Sequence, residues 1–462
     1  MSLPSTAKQA KRTTKKSKDF VDKVLQWTQV TYAGSIQRLL HDKKSRDGEC
    51  TLYDGQDIHG DVDGYGFERF PSSFPSSSGA NSGEVTELRR VLDACVRREK
   101  IQKELWSRVD MNTLVVDEGI KRLCRGGVPP EFRKQVWCTL SGAYRTKQYY
   151  EHVLGMKYNL YIERGKSQRQ CVKQIDLDVP RTFPNNQWIQ SSVGQVSLQR
   201  VLYAFSGIHQ EIGYCQGMNY IAAMLLIVLE YDEEMAFWTM CRLIGHDGSH
   251  GILYENVHAS TLSGCHVEMR ALETIVAKKL PKLAHHMGVI ECDFSMVSTE
   301  WFLCLYATSL PPETVARVWD VLFCEGPKIL YRIALAILKS HEDELLATEN
   351  SGDLLKTLHV ACAFEFDRDA LLAVACQDIG HLSMSWINTL RDEKQFQVDK
   401  ELALRETKEK LRAAVEEHGH VLLEATGEED LLNTRACDLD VKQQSKLLKG
   451  PLFIKKYFKQ RM

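Results

Sequence analysis

The sequence predicts an all-α protein, and three observations carry that expectation. Between residues 118 and 346 almost no run alternates apolar and polar residues with period two, the mark of a half-buried strand. Apolar residues recur instead at three- and four-residue spacing, as in Phe132, Val136 and Leu140, or Val315, Val318, Trp319 and Leu322. Boundaries are signalled as well. Pro129-Pro130 suits a helix's first turn, where a missing N–H costs nothing, and Gly142 and Gly326 suit helix stops.

Taken in order, residues 1–83 form a largely disordered N-terminal region. Lys8, Lys11, Arg12, Lys15, Lys16 and Lys18 precede the first acid and read as a solvated tail. Phe20, Val24, Trp27, Ile36 and Leu39-Leu40 suggest an amphipathic helix. Residues 43–83 lose periodicity, and the Ser/Pro-rich run Phe70 to Gly79 reads as a linker. Residues 84–117 are a lead-in whose helix, Glu84 to Val109, places Val85, Leu88, Val91, Leu92 and Cys95 on one face.

The domain proper spans 118–346. Its expected helices include Val196 to Ser206 with Val201, Leu202 and Phe205 inward, and Met218 to Leu229, an apolar run. Asp232 caps the next helix, with Glu233 and Glu234 in its first turn and Met235, Trp238 and Cys241 buried. Leu262 to Leu280, Met296 to Ser309 and Glu313 to Phe323 follow, with Trp301 and Trp319 in the core rather than stacked on a ligand. Residues 347–462 continue as a helical extension: Leu354 to Phe364, Leu371 to Ile379, a short Ser383 to Leu390, then a charged solvated helix bearing Leu402, Leu411 and Val415. The tail from Lys449 mixes Leu452, Phe453, Ile454, Tyr457 and Phe458 with basic residues. A docked terminal helix and a membrane contact both fit it.

Composition narrows the function class. With 59 basic against 61 acidic residues there is no global electrostatic case for nucleic acid. The 14 cysteines lack Cys-x-x-Cys or zinc-like Cys/His spacing, so they read as reduced cytosolic thiols and no metal is expected. The longest apolar run, Tyr220 to Leu229, is about half of the roughly 20 residues a membrane span needs. Neither a signal peptide nor an N-myristoylation glycine is expected.

Two short runs hold unusual chemistry. In Ile175-Asp176-Leu177-Asp178-Val179-Pro180-Arg181-Thr182-Phe183-Pro184, prolines bracket Arg181 and stiffen the backbone that carries it. In Ile212-Gly213-Tyr214-Cys215-Gln216-Gly217-Met218-Asn219, Gln216 stands where a loop enters a buried helix, and Gly217 permits a tight turn. A lone arginine is usually a surface residue and a lone loop glutamine usually solvated. The two complete patterns, Ile-x-x-Asp-x-x-Arg-Thr at 175–182 and Tyr-Cys-Gln-Gly-Met at 214–218, resemble the signature motifs of the TBC domain of Rab GTPase-activating proteins. Arg125-Gly126-Gly127-Val128-Pro129 with Arg133 and Val136-Trp137 agrees. So does Trp301-Phe302, with Leu310-Pro311, Arg317-Val318-Trp319-Asp320 and Glu325-Gly326. The likeness is greatest to the Armus-type members, without their upstream membrane-binding domain, to which nothing in residues 1–117 is similar.

The resemblance implies an all-α TBC domain that activates a Rab-family GTPase in its GTP form. Arg181 would be an arginine finger and Gln216 a glutamine finger, with Asp178, Tyr214 and Asn219 as positioning or Rab-contact candidates. No cofactor is expected, because GTP and Mg²⁺ would be bound by the partner. The implied setting is the cytoplasm and vesicle traffic, peripheral on endosomal or other vesicle membranes, with the basic tails as candidate membrane contacts. Two alternatives stay open: a catalytically idle Rab-binding adaptor and a helical scaffold. Cys215 invites reading as a nucleophile, but no His or acid at a supporting spacing stands beside it, and a packed thiol is expected.

Overall fold

The computed structural model describes residues 65–67, 82–245 and 251–426. It is helical, and among the described residues the only β pairing is an isolated antiparallel bridge between Phe67 and Asn186. The basic start, the Phe20 to Leu40 stretch, the Phe70 to Gly79 linker and the tail from Lys449 lie outside the described residues. The chain divides into two compact units at Arg391.

The first unit opens with α1 (Ser82–Trp106). The indole N–H of Trp106, fully buried at its end, donates to the Gly127 carbonyl at 2.8 Å, which docks the lead-in helix on the domain. Helices α2 (Glu118–Gly126), α3 (Pro130–Leu140), α4 (Ala143–Gln148), α5 (Tyr158–Lys166) and α6 (Arg169–Asp178) follow. Pro130 stands in the first turn of α3, as its chemistry requires, and Gly142 takes the left-handed conformation just beyond it. Next come the short α7 (Gln187–Gln190), then α8 (Ser192–Ile208), α9 (Met218–Val228) and α10 (Glu233–Ile244). Every residue of α9 is buried, and it packs on α3, α8 and α10. Each large apolar side chain there contributes about 1.5–3 kcal/mol, so this helix is a rigid post. The Asp232 carboxylate caps α10 by accepting the Met235 N–H at 3.1 Å, as expected from sequence.

The remaining helices are α11 (Ser263–Lys279), α12 (Pro281–Val289), α13 (Ser295–Leu303), α14 (Pro312–Glu325), α15 (Lys328–Ser340), α16 (Glu342–Leu346), α17 (Ser351–Ala363) and α18 (Arg368–Ala373). Trp301 and Trp319 are core residues. The helix expected over Met296 to Ser309 stops early, at Leu303, because Leu305 and Tyr306 adopt positive φ of 50° and 66°. Tertiary bonds hold that reversal: Trp319 Nε1 donates to the Leu305 carbonyl at 3.0 Å and Tyr306 OH to the Leu330 carbonyl at 2.8 Å. Local periodicity could not show them.

The two flanking motifs meet in a buried ionic network. Arg133 donates through both Nη atoms to Glu313 at 2.8 Å, and through Nε to Asp320 at 3.2 Å. Asp320 also accepts Trp137 Nε1 at 2.9 Å and the Val128 N–H at 3.0 Å. Arg368 reaches Glu313 and Glu99, each at 3.1 Å. Arg125 grips Glu325 with two bonds of 2.5 and 2.6 Å. The Arg125 and Arg133 pairs tie the start of the domain to α14, from 180 to 200 residues later in sequence.

The last helix, α19 (Met384–Thr426), runs continuously where a short helix and a separate charged helix are expected from sequence. Its stretch from Asp392, the second unit, carries surface bonds such as Gln395 Nε2 to Asp399 at 2.7 Å. Among the described residues no helix is long and apolar enough to cross a membrane.

Candidate functional site

The site is built from two loops, one that leaves α6 and one that enters the fully buried α9. Helix α6 ends in one 3₁₀ turn, Val179–Arg181, in which Pro180 offers no N–H to continue the α ladder. Thr182 is extended and Phe183 then takes φ of 43°, so the chain reverses directly after Arg181. That conformation is uncommon for an aromatic residue and persists only where surroundings impose it. Here the Phe183 ring packs edge-on with Tyr220 of α9 at 5.3 Å. The second loop enters α9 through Gly217, whose φ is 110°. A Cβ there would stand 3.2 Å from the Leu303 carbonyl, so the left-handed conformation favours glycine and the tight approach adds to that.

Asp178 is the hub. It is fully buried, and its Oδ1 accepts Arg181 Nη2 at 2.6 Å, Arg181 Nε at 3.0 Å and Gln174 Nε2 at 3.0 Å. Its Oδ2 accepts the Tyr214 hydroxyl at 2.7 Å. Burial, and then the carboxylate beside it, push the Tyr214 phenol well above its ordinary value, so it stays a donor. Arg181 itself is 40% exposed. One edge of its guanidinium is held by a buried carboxylate while the group remains reachable from outside.

A second connection joins the loops. Thr182 Oγ1 donates to the Asp178 carbonyl and accepts from Asn219 Nδ2, both at 2.8 Å. Asn219 Oδ1 in turn accepts the Gly217 N–H at 3.1 Å. Thr182 and Asn219 are both buried, so each broken link strands a polar group at about 1–3 kcal/mol. Gln216, half-exposed, is the residue before Gly217 and rides on that tied backbone. The structure thus brings Arg181 and Tyr214 onto the Asp178 carboxylate and fixes the Gln216 turn to that loop through Asn219. Asn219, a positioning or contact candidate from sequence, is too buried to touch a partner and serves as a tie. Cys215 is a partly buried free thiol, as expected from sequence: burial, then Asp178, push it up to about 12, which disfavours the thiolate.

The chain is similar to known proteins over most of its helical domain. The family model described as the Rab-GTPase-TBC domain matches residues 130–346. Growth hormone-regulated TBC protein 1 of Xenopus tropicalis is 30% identical over 344 residues, covering 73% of this chain and 94% of that protein. The chain belongs to the TBC-domain family. TBC1 domain family member 2A of Rattus norvegicus is 34% identical over 307 residues, which is 66% of this chain but only 32% of that longer protein. The chain therefore spans about a third of the length of that relative. Among solved structures, a Chlamydomonas flagellar RabGAP TBC domain is 37% identical, covers 68% of this chain and 99% of its own, and superposes with a TM-score of 0.57.

Several parts of this site carry little signal in the sequence. Gln174 lies one helical turn before Asp178, a spacing that signals contact but not this partner. Thr182 stands inside the quoted motif, yet its hydroxyl gains meaning only when Asn219 is seen against it. Tyr65-Gly66-Phe67, inside the stretch that loses periodicity, is docked: Asn186 Nδ2 donates to the Tyr65 carbonyl at 2.8 Å and Phe67 packs on Phe183 at 5.2 Å. A turn-like Gly beside two aromatics was its only signal.

Proposed function

We propose that this protein accelerates GTP hydrolysis by a Rab-type GTPase in its GTP form, supplying Arg181 and Gln216 in trans. The observation that carries this is the pairing of a half-exposed guanidinium with a half-exposed glutamine on two loops fixed to each other by buried hydrogen bonds. Membership of the TBC family supports it, as does likeness to a domain described as a RabGAP.

The chemistry follows from need. In the partner's site a water oxygen bonds to the γ-phosphorus while the bond to the bridging β–γ oxygen breaks, giving inorganic phosphate and GDP. Negative charge spreads over the phosphoryl and leaving oxygens. Arg181 presents a planar fork of donors to that charge, worth about 10³–10⁵ in rate in such systems. The Gln216 amide, with one acceptor and two donors, aligns the attacking water. Asp178 and Tyr214 hold the arginine until the partner's phosphates compete for it. GTP and Mg²⁺ come with the partner, and the setting this reading implies is the cytoplasmic face of a vesicle or endosomal membrane.

The test is single-turnover GTP hydrolysis across a panel of purified Rabs, with wild type beside Arg181→Ala. We expect at least one Rab to be accelerated by about a hundredfold or more, and the variant to lose that gain. Binding of GTP-loaded Rabs without acceleration by wild type would replace this reading with an adaptor.

A further inference from the structure

We propose that Tyr65-Gly66-Phe67 is a strap that positions the arginine-finger loop, acting on the reaction through Phe183 and Asn186. This rests on the reading of Arg181 given above. The three residues lie outside the segment matched by the family model, which begins at residue 130, yet they touch the finger loop at three points. Phe67 meets the Phe183 ring edge-on, with centroids 5.2 Å apart and planes at 78°. The Gly66 carbonyl accepts the Gln187 N–H at 2.9 Å. The Tyr65 carbonyl accepts Asn186 Nδ2 at 2.8 Å, while Asn186 Oδ1 caps α7 through the Ile189 N–H at 2.9 Å.

The far end of the strap is anchored in the buried ionic network around Arg133. The Tyr65 hydroxyl donates to Glu313 and accepts from Arg133. Gly66 links the two ends with φ of 78°, which is why glycine stands between two buried aromatic rings. The strap therefore spans from the buried ionic network to the residue two positions beyond Arg181.

Phe183 needs such support. Its left-handed backbone is unfavourable for an aromatic residue and is maintained by its surroundings. Tyr220 of α9 packs on one part of the ring and Phe67 on another. Removing Phe67 takes away a contact that the buried core of α9 does not replace. The Phe183 to Asn186 turn, closed by the Asn186 N–H to the Phe183 carbonyl at 2.9 Å, then loosens, and Arg181 with it. Because the strap contributes three residues to a core built from many helices, the domain stays folded without it.

The test uses the full chain with Phe67→Ala, Phe67→Leu and Tyr65→Phe beside wild type and Arg181→Ala. Two readouts are taken: single-turnover GTP hydrolysis on a responsive Rab as a function of protein concentration, and amide hydrogen exchange over residues 182–190. We expect Phe67→Ala to lower the maximal rate by about tenfold at little-changed half-saturation. Phe67→Leu should recover most of it, and Tyr65→Phe should lie between. Exchange at Gln187 should quicken in Phe67→Ala while α9 stays protected. A maximal rate within about twofold of wild type, or a loss matched by loss of α9 protection, overturns the proposal. If wild type and Arg181→Ala behave alike on every Rab, the GTPase reading has failed. Exchange at Gln187 then still decides the strap, since an unchanged value overturns it and a quickened one upholds it.

Discussion

Arg133 and Arg181 both belong to motifs that identify this family, and their surroundings differ in every respect that matters. Arg133 is 1% exposed, and Glu313 and Asp320 surround its guanidinium. Arg181 is 40% exposed and is held along one edge by Asp178. Saturated and sealed, the first arginine can do nothing but join α3 to α14. The second is positioned without being enclosed, as the finger role proposed for it requires. Motif membership therefore does not separate chemistry from scaffolding here; burial does.

The largest expected effect breaks the comparison on the exposed side. Arg181→Ala should lose about 10³-fold or more of the stimulated hydrolysis rate while the chain stays folded, with a midpoint lower by about a few degrees because buried Asp178 loses its guanidinium but keeps the Gln174 and Tyr214 donors. Arg181→Lys should lose nearly as much, since an ammonium cannot span two phosphoryl oxygens. Gln216→Ala should lose a smaller but substantial part. Wild-type stimulation in both single variants would end the two-finger reading.

The opposite outcome is expected in the sealed network. Arg133→Ala leaves Glu313 and Asp320 buried without their main counter-charge, at a cost of about 3–5 kcal/mol, or a midpoint lower by about 10 °C. The rate per folded molecule should persist at low temperature. The network also fixes an acid limit. Burial pushes the Glu313 carboxyl up, but the Arg133 and Arg368 guanidiniums more than offset it and hold it down to about 2. A depressed carboxylate adds stability that is present above its ordinary value of 4.5 and is lost as pH falls toward 2. Equilibrium unfolding between pH 4.5 and 2 should therefore steepen in wild type and flatten in Glu313→Gln.

Between the two regions lie the ties. Asn219→Ala removes both the donor to Thr182 and the acceptor of the Gly217 N–H, leaving buried groups unpaired at about 1–3 kcal/mol. If the two loops act as a unit, the maximal hydrolysis rate should fall by about tenfold, with a shift in midpoint of a few degrees. An unchanged rate with a lower midpoint would make Asn219 purely structural, like Arg133.

Helix content, the caps at Asp232 and Pro130, and the buried Trp301 and Trp319 were legible because each follows from a local rule: period, capping oxygen or missing N–H. The candidate pair Arg181 and Gln216 was legible through motif resemblance. What stayed hidden was set by distant partners. The break after Leu303 depends on Trp319 and Leu330, the Thr182 hydroxyl on Asn219, and the docking of Tyr65-Gly66-Phe67 on Glu313 and Phe183. No window of neighbouring residues contains those partners, so no periodicity reports them.

The smallest effect sharpens the comparison at a residue that looks reactive and is not. Cys215 adjoins Gln216, and its thiol donates to the Gln216 carbonyl at 3.4 Å. Burial, then the charge of Asp178, hold that thiol at about 12, so its thiolate is negligible at neutral pH. Cys215→Ala leaves the backbone turn intact, including the Gly217 to Asn219 bond that fixes it. The hydrolysis rate should therefore stay within about twofold of wild type, below about 0.5 kcal/mol in the barrier. A loss as large as that of Gln216→Ala would show that the thiol shapes the turn, and the backbone ties through Asn219 would no longer suffice to explain how Gln216 is presented.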